Sequence, residues 1–588
     1  NSGDLAAKYI VELLDLALSG GEIPHSVLDG LYVFINKGDH SLEEQAGAPV
    51  VRKPTELRPL TLKVADNKIV MGVLNHSITP TISACASALQ RGFVPGRQLL
   101  QNAVDLDFWT RKFAMLYHES LGSTHLSFDR DILECLTAIS GLPIAIMFDY
   151  AAAFPSVAHA WMFAILHYIK IPKGFLNAVK AMYKNNQAYT SIAGIMTWIF
   201  IVACGVLQGC PLSGTLFVLA IDPLLHLFER FVCNPGHGAI FACADDIGAA
   251  LREIQHLKIL HKWFTKVTKA SGLILKPAKC ILVLTTVDAT EHNITRIREW
   301  LAVNIPEWSN FQIRSSAKYL GIHIGPKLGG LNWYAPICKF VARTEEVANR
   351  HLPLALASAQ FASKALSVLG YVGQLMPPPK NFKVLELRVA NKILRLATNS
   401  FTTNSVYQCS KFGGPAIARP AAYLHATRIR GSAKTFSGFS PQHSELKELA
   451  LKANTLSRLM DPRPDGWDSN AFCSNLHLAS MGIIHDNDFP GAELAILDII
   501  NQYRRGDIKA SLQKKIFRTL SSLVANEWQL LLSRRASKLE IVAPLSGFPS
   551  PAFLKSLLHI FKSLPAYAPM AVLRTWTNGW FTTHRMHE

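Results

Sequence analysis

"FACADDIGAA", Phe241 to Ala250, sets two adjacent acids, Asp245 and Asp246, inside a run of small and apolar residues. An ionised carboxylate without a partner is costly to bury, and a second one beside it adds like-charge repulsion. The pair therefore calls for a cation, a tight hydrogen-bonded turn, or exposure to water. A lone Asp-Asp pair in a chain of 588 residues arises readily by chance, so the surrounding chain has to decide.

The wider stretch "AIFACADDIGAAL" reads as two short strands around a tight turn, with the acids at the turn. About a hundred residues earlier, "LPIAIMFDYAAAF" reads as a buried strand, Pro143 to Phe148, that ends on Asp149. That chain order lets one sheet bring Asp149, Asp245 and Asp246 to a single edge. Three facing carboxylates repel unless divalent cations lie between them, and an all-oxygen donor set suits magnesium. Two such ions roughly 4 Å apart activate an attacking hydroxyl and hold the leaving oxygens in phosphoryl transfer.

An apolar content of 49% with 17% charged residues indicates a globular protein of several domains. Lys and Arg number 60 against 42 Asp and Glu, a net charge of +18, which suits a polyanionic partner such as nucleic acid or an anionic membrane surface. The ten cysteines are scattered with no CxxC spacing, as expected of reduced thiols in an intracellular protein that is not secreted. No basic-then-apolar leader follows Asn1, and the chain reads as a fragment or a processed product. Ser191 to Ile221 carries no charge, but "GVLQGCPLSG" interrupts it; the expectation is a buried strand, a Gly-Pro loop and a buried helix from near Ser213, not a membrane span.

Elsewhere, residues 4 to 17 have helical spacing, "LYVFINKGD" reads as a strand, and "RPLTLKVADNKIVMGVLNHSI" as a strand followed by a helix. "EIQHLKILHKWFTKVTKASG" reads as a helix stopped by Gly272, and "AKYLGIHIG" as one further strand. Strands and helices alternate to about residue 330, an α+β pattern. Beyond it the pattern is helical, broken by Pro377 to Pro379. From about residue 470 it carries basic clusters (Arg504, Arg505, Lys509, Lys514, Lys515, Arg518, then Arg534, Arg535, Lys538) that are more often solvated helix faces than binding sites.

Eight stretches in one order carry a resemblance: "INKGD" (Ile35 to Asp39), "ELRPLTL" (Glu56 to Leu62), "RGFVPGRQ" (Arg91 to Gln98), "FDYAAAF" (Phe148 to Phe154), "GVLQGCPLSGTLF" (Gly205 to Phe217), "CADD" (Cys243 to Asp246), "SGLILKPAKC" (Ser271 to Cys280) and "KYLGI" (Lys318 to Ile322). The series resembles the reverse transcriptases of LINE-type retrotransposons, which lack long terminal repeats. The resemblance implies a right-hand polymerase: an N-terminal helix and fingers over 1–140, a palm over 141–330, a helical thumb over 331–465 and a basic helical extension over 466–588. It further implies that Asp149 and Asp245 ligate two Mg²⁺ ions, replaceable by Mn²⁺, with Asp246 beside them as the third carboxylate.

By the same resemblance Phe154 closes off the sugar 2′ position, and Arg58, assisted by Lys37, contacts the incoming triphosphate; a bidentate Arg-phosphate pair is the physical reason. For Phe154 a core role, and for Lys37 a surface turn, remain open readings. Gln208 and Gly209 would support the nascent base pair and template, and Lys279 would act near the triphosphate as a general acid on pyrophosphate. Arg91 and Arg97 would touch template backbone or serve as structural loop residues. The implied partners are an RNA template, a DNA primer or target and deoxynucleoside triphosphates, with no membrane, in a protein that is nuclear or shuttles between cytoplasm and nucleus.

Departures from the family pattern are Cys243 where Tyr or Phe usually precedes "ADD", Gly214 where proline is commoner, Pro155 where Asp often follows the aromatic, and a long interval between Arg97 and Asp149 that suggests an insertion in the fingers. No endonuclease signature precedes the polymerase motifs. "RTWTNGWFTTHRMHE" (Arg574 to Glu588) looks like the lead-in to a Cys/His knuckle, as in a truncated copy or fragment. An RNA-directed DNA polymerase is the first reading and a decayed or domesticated relative that only binds RNA the second. A viral RNA-directed RNA polymerase is disfavoured by Phe154 and by the "RGFVPGRQ" and "KYLGI" matches.

Overall fold

A computed structural model describes residues 2–37, 47, 52–53, 56–120, 139–326, 328, 330–397, 400–412, 414–433, 439–452, 471–483, 489, 491–508 and 511–523, with scattered positions from 556 to 576. They divide into two compact units, Asn1–Pro326 and Lys327–Glu588. The ranges expected to be fingers and palm fall in the first unit, up to residue 326, and those expected to be thumb and extension fall in the second.

In the first unit the strands are β1 (Gly30–Asn36), β2 (Leu57–Leu62), β3 (Ile144–Phe148), β4 (Gln187–Ile192), β5 (Ile195–Ile201), β6 (Gly238–Cys243), β7 (Asp246–Leu251), β8 (Ile281–Leu284), β9 (Gln312–Arg314), β10 (Ala317–Tyr319) and β11 (Ile322–Ile324). β6, β7, β3, β8 and β9 form a five-stranded sheet in that order. Every residue of β3 is buried, as its unbroken apolar run requires of a central strand. β3 and β7 pair antiparallel with Phe148 opposite Ile247, so one step beyond that pair, at the same end of the sheet, stand Asp149, which follows β3, and Asp246, which begins β7. The register alone thus brings the acids of two distant motifs to one edge.

The helices Leu257–Ser271 and Ser213–Phe228 contribute Phe264 and Phe228 to the core, where Phe264 lies 4.9 Å from Phe148 and 5.1 Å from Phe228 between ring centroids. Gly272, in the left-handed region at φ 77°, ends the helix as the sequence predicts; a side chain there would meet the Ser156 carbonyl.

A second, four-stranded sheet has the order β2-β1-β4-β5. β1 and β2 pair antiparallel along six positions, whereas β1 and β4 pair parallel only at Gly30↔Ala188 and Leu31↔Tyr189. Here one expectation fails. The uncharged run from Ser191 does contain a strand and the helix from Ser213, but β5 is exposed along nearly its whole length, including Ile195, Met196, Trp198 and Ile201. Absence of charge predicts burial only where another element covers the strand, and β5 is the edge of its sheet. "AKYLGIHIG" likewise forms two strands, not one. Leu320 and Gly321 both have positive φ, the two-residue turn that joins β10 to β11.

The second unit is helical, with helices Leu331–Asn349, Phe382–Leu394, Pro420–Ala433, Phe472–Ser480, Ala492–Arg504 and Leu512–Ser522. Ile429, Ile496, Ile500, Ile516 and Leu520 form part of its core, and a buried Glu386 accepts from the Ala421 N–H at 2.9 Å beside Arg419. Of the basic clusters, Arg505 faces Asp507 and Lys515 donates to Gln502. Lys509, Arg534, Arg535, Lys538 and the end of the chain from residue 577 lie outside the described residues. Among the described residues no helix is long and apolar enough to cross a membrane.

Candidate active site

The β6–β7 hairpin closes at Cys243↔Asp246 and turns through Ala244 and Asp245. Ala244 is held in the left-handed region at φ 55°, a conformation that costs a residue with a Cβ about 1 kcal/mol or more and persists only where its surroundings enforce it. Gln90 does the enforcing. It is fully buried, and its Oε1 accepts from the N–H groups of Ala244 and Gly92, each at 2.8 Å, while its Nε2 donates to the Ala244 carbonyl at 3.3 Å. A side chain at Gly92 would stand 2.3 Å from the Ala244 nitrogen, so the loop approaches the turn this closely only with glycine there.

Behind the hairpin, the Tyr319 hydroxyl donates to the Phe241 carbonyl at 2.9 Å, and Asn102 Nδ2 donates to the Ala242 carbonyl at 2.8 Å. The acid-bearing turn is thus gripped from both sides by buried polar groups.

Asp149 is fixed through its backbone. Its carbonyl accepts from the Lys276 N–H at 2.8 Å and its N–H donates to Cys280 Sγ at 3.4 Å. Burial, then the Asp149 charge, raise the Asp245 carboxyl above the usual carboxylate range, and Arg58 pulls it down. Asp246 keeps one side open to solvent, yet desolvation among its neighbours, then the charges of Asp245 and Asp149, push it up to about 6. The three acids therefore share one field.

Among the described residues no group of three or more His, Cys, Asp or Glu is gathered tightly enough to hold a metal ion by itself. The donor chemistry nevertheless fits a hard divalent cation: the acids supply only oxygen ligands, and the burial and, after it, the neighbouring carboxylate charges that raise Asp245 and Asp246 are costs that a cation beside them offsets.

Cations from two other segments lie within electrostatic reach of Lys37, which also senses Asp149, and one of them, Arg58, is sensed by Asp245. Arg58 lies on β2, Lys37 just past β1, and Lys276 and Lys279 on the segment that follows the helix Leu257–Ser271. Lys37 feels all of them: burial, then Lys279, Arg58 and Lys276, lower its pKa, while Asp149 raises it. Lys276 stands in the same "SGLILKPAKC" motif as Lys279 and joins the cations expected there. Gln90, Asn102 and Tyr319 carry no motif signature of their own; Tyr319 lies within "KYLGI" and Gln90 immediately before "RGFVPGRQ", and that adjacency is their signal in the sequence.

Phe154 sits on the single turn Ala153–Ser156, half-buried, stacked on Phe217 with centroids 4.4 Å apart and planes 4° apart, and edge-on to Phe93 at 6.0 Å. Both readings of Phe154, core packing and a wall beside the cleft, fit this position. A side chain at Gly214 would come 2.7 Å from the Phe93 ring, so a larger residue there requires that exposed ring to move. Gln208 accepts through its carbonyl from the Thr61 N–H at 2.8 Å, and Gly209, at φ 110°, passes so close that a side chain would stand 2.4 Å from the Thr61 carbonyl. These two residues dock the loop onto β2.

Arg91 and Arg97 make contacts within the protein. The Arg91 guanidinium pairs with Asp105 at 2.6 Å, both nearly buried, and lies over Phe241 at 5.4 Å. Arg97 donates to the carbonyls of Gln90 and Ala86 at 2.7 and 2.9 Å. Both arginines are engaged by carbonyls and a carboxylate of the loop and its neighbours, which favours the structural of the two roles open to them.

Residues 47–324 match the family described as reverse transcriptase (RNA-dependent DNA polymerase), a span that ends next to the boundary between the two units. Over 378 residues the chain is 24% identical to the retrovirus-related Pol polyprotein from type-2 retrotransposable element R2DM of Drosophila melanogaster, covering 60% of this chain and 32% of that protein. Over 174 residues it is 27% identical to the transposon TX1 uncharacterized 149 kDa protein of Xenopus laevis, covering 29% of this chain and 12% of that protein. The chain thus spans about a third of the length of the first relative and about an eighth of the second.

Among solved structures, apo telomerase from Candida tropicalis, truncated from its C-terminal domain, aligns with a TM-score of 0.32 at 9% identity, covering 53% of this chain and 58% of that one. Telomerase from Candida albicans in complex with a fragment of telomeric RNA aligns with a TM-score of 0.31 at 10% identity, covering 73% and 67%.

Proposed function

We propose that this chain, whose residues 47–324 are a reverse transcriptase domain related to those of LINE-type retrotransposons, extends a DNA primer on an RNA template by nucleotidyl transfer. The observation that carries the reading is the common electrostatic field that joins Asp149, Asp245 and Asp246 to Lys37, Arg58, Lys276 and Lys279. One set of charges suits divalent cations and the other a triphosphate, and a polymerase needs both side by side.

In this reading Asp149 and Asp245 hold two Mg²⁺ ions, or Mn²⁺ in their place, with Asp246 beside them; the bound ions supply Lewis acidity and neutralise charge on the reacting phosphate. Arg58, Lys37 and Lys276 hold the triphosphate oxygens of the incoming nucleotide, and Lys279 supplies a proton toward the leaving pyrophosphate. Phe154 presses against the sugar where a 2′-hydroxyl would project. Gln208 and Gly209, fixed to β2, carry the nascent base pair. The template is RNA, the primer DNA, and the protein works inside the cell, in the nucleus or moving between nucleus and cytoplasm.

Primer extension on poly-A with oligo-dT and magnesium tests the reading. Asp245→Asn keeps the size of the side chain and removes its charge, and the expected result is a fall in extension of about 10³-fold or more with the fold intact. Tight RNA binding by the unaltered chain with no extension would overturn the polymerase reading and leave a protein that only binds RNA.

A further inference from the structure

The helix Leu257–Ser271 has two unlike faces. Leu257, Leu260, Phe264, Val267 and Ser271 are buried in the palm, while Lys258, Lys262, Lys266 and Lys269 are exposed. Lys258, Lys262 and Lys266 follow one another at four-residue spacing, a row with a step of about 6 Å along the helix axis. The helix contains no Asp or Glu. Among the described residues none of the four lysines has a carboxylate partner; Glu307, which flanks the helix, faces His261 at 3.4 Å. Like charges at this spacing repel one another, a cost that a polyanion would remove.

The lysines are also held in place. The ammonium groups of Lys262 and Lys266 lie 5.4 and 5.0 Å from the centre of the Trp263 ring, and Lys258 lies 5.8 Å from that of Trp300. Trp263 in turn stacks on Phe231 at 4.9 Å, with Arg230 over Phe231 at 5.3 Å. Side chains parked against aromatic faces lose less freedom on meeting a ligand than freely solvated ones do.

We infer that the exposed face of the helix Leu257–Ser271, with Arg230, is a docking track for the phosphate backbone of single-stranded RNA outside the cleft. The inference rests on the polymerase reading for the presence of RNA but uses none of the catalytic residues. Charge complementarity selects a polyanion, and the make-up of the face selects RNA over a lipid surface. None of the large apolar side chains of this helix is exposed, so a membrane would find charge but nothing to insert, whereas a phosphate chain needs only the charge and its spacing. A strand held here would bring a long template to the enzyme without passing through the acid-bearing turn.

The test uses the full chain carrying Asp245→Asn, so that binding is read with catalysis silenced and failure of the polymerase reading stays separate. Replacing Lys258, Lys262 and Lys266 together by Ala is expected to weaken binding of a long single-stranded RNA about tenfold or more. It should also flatten the salt dependence of that binding by roughly two in log–log slope. A short RNA–DNA hybrid that fills only the cleft should bind as before, which also reports that the fold survives. The triple change to Arg, which keeps the charge, should restore long-RNA binding. Unchanged affinity and salt slope in the Ala variant would overturn the inference. So would lysine-dependent binding to phosphatidylserine vesicles with unaltered RNA affinity, which would assign the face to a membrane.

Discussion

The two sheets of the first unit, one leading to the acids and one bearing Arg58, are built differently. In the five-stranded sheet the strand leading to Asp149 is buried along its whole length, and the turn carrying Asp245 is held by Gln90 on one side and by Asn102 and Tyr319 on the other. In the four-stranded sheet β5 is exposed almost throughout, and β1 meets β4 at only two registered positions. The acids are therefore set in a floor with many buried, satisfied groups, whereas the strand bearing Arg58 belongs to a sheet with few. Local opening costs less free energy where buried apolar contacts are sparse, so the strand bearing Arg58 is expected to open more readily than the floor, whereas Lys276, whose N–H donates to the Asp149 carbonyl, stays with the acids.

The contrast breaks first at the floor. Gln90→Ala strands the buried N–H groups of Ala244 and Gly92 and releases a strained turn. We expect about 2–3 kcal/mol of lost stability in denaturant unfolding and a larger proportional loss of primer extension. If stability and extension were both unchanged, the turn would not depend on this clamp.

A smaller effect is expected at the wall between the sheets. Phe154→Ala should lower the preference for deoxynucleotides over ribonucleotides by roughly tenfold to a hundredfold in competition assays, since one missing wall removes about 1–3 kcal/mol of discrimination. An unaltered preference would leave Phe154 as packing for Phe217 and Phe93. On β2, Arg58→Ala should raise the KM for nucleotide about tenfold with a lesser change in kcat, the pattern of a lost binding contact. The smallest effect is expected at the exposed edge, where Trp198→Ser should shift stability by no more than about 0.5 kcal/mol and amides of β5 should exchange with solvent faster than those of β3.

How much of this was legible in the sequence follows the same division. The hairpin around Asp245 and Asp246, the strand ending on Asp149 and the helix stopped at Gly272 are all written locally, in apolar runs bounded by turn residues. The clamp was not legible, because a glutamine gives no sign that it will hold a turn more than 150 positions away; its partners exist only once the chain has folded. Arg91 and Arg97 stay ambiguous in the sequence for a related reason. A basic loop suggests phosphate, while Asp105 and the carbonyls that take up those charges become neighbours only in the fold. The exposure of β5 was hidden by the opposite problem, an uncharged run whose covering layer the sequence cannot specify.

The fit between Phe93 and Gly214 carries a consequence for the packing of Phe154. The ring at position 93 occupies the space a side chain at 214 would need. The ring is itself more than half exposed, so a larger residue at 214 would push the ring aside before it moved any backbone. Because Phe93 also stands edge-on to Phe154, a change at 214 would be felt two contacts away, as a looser packing of Phe154.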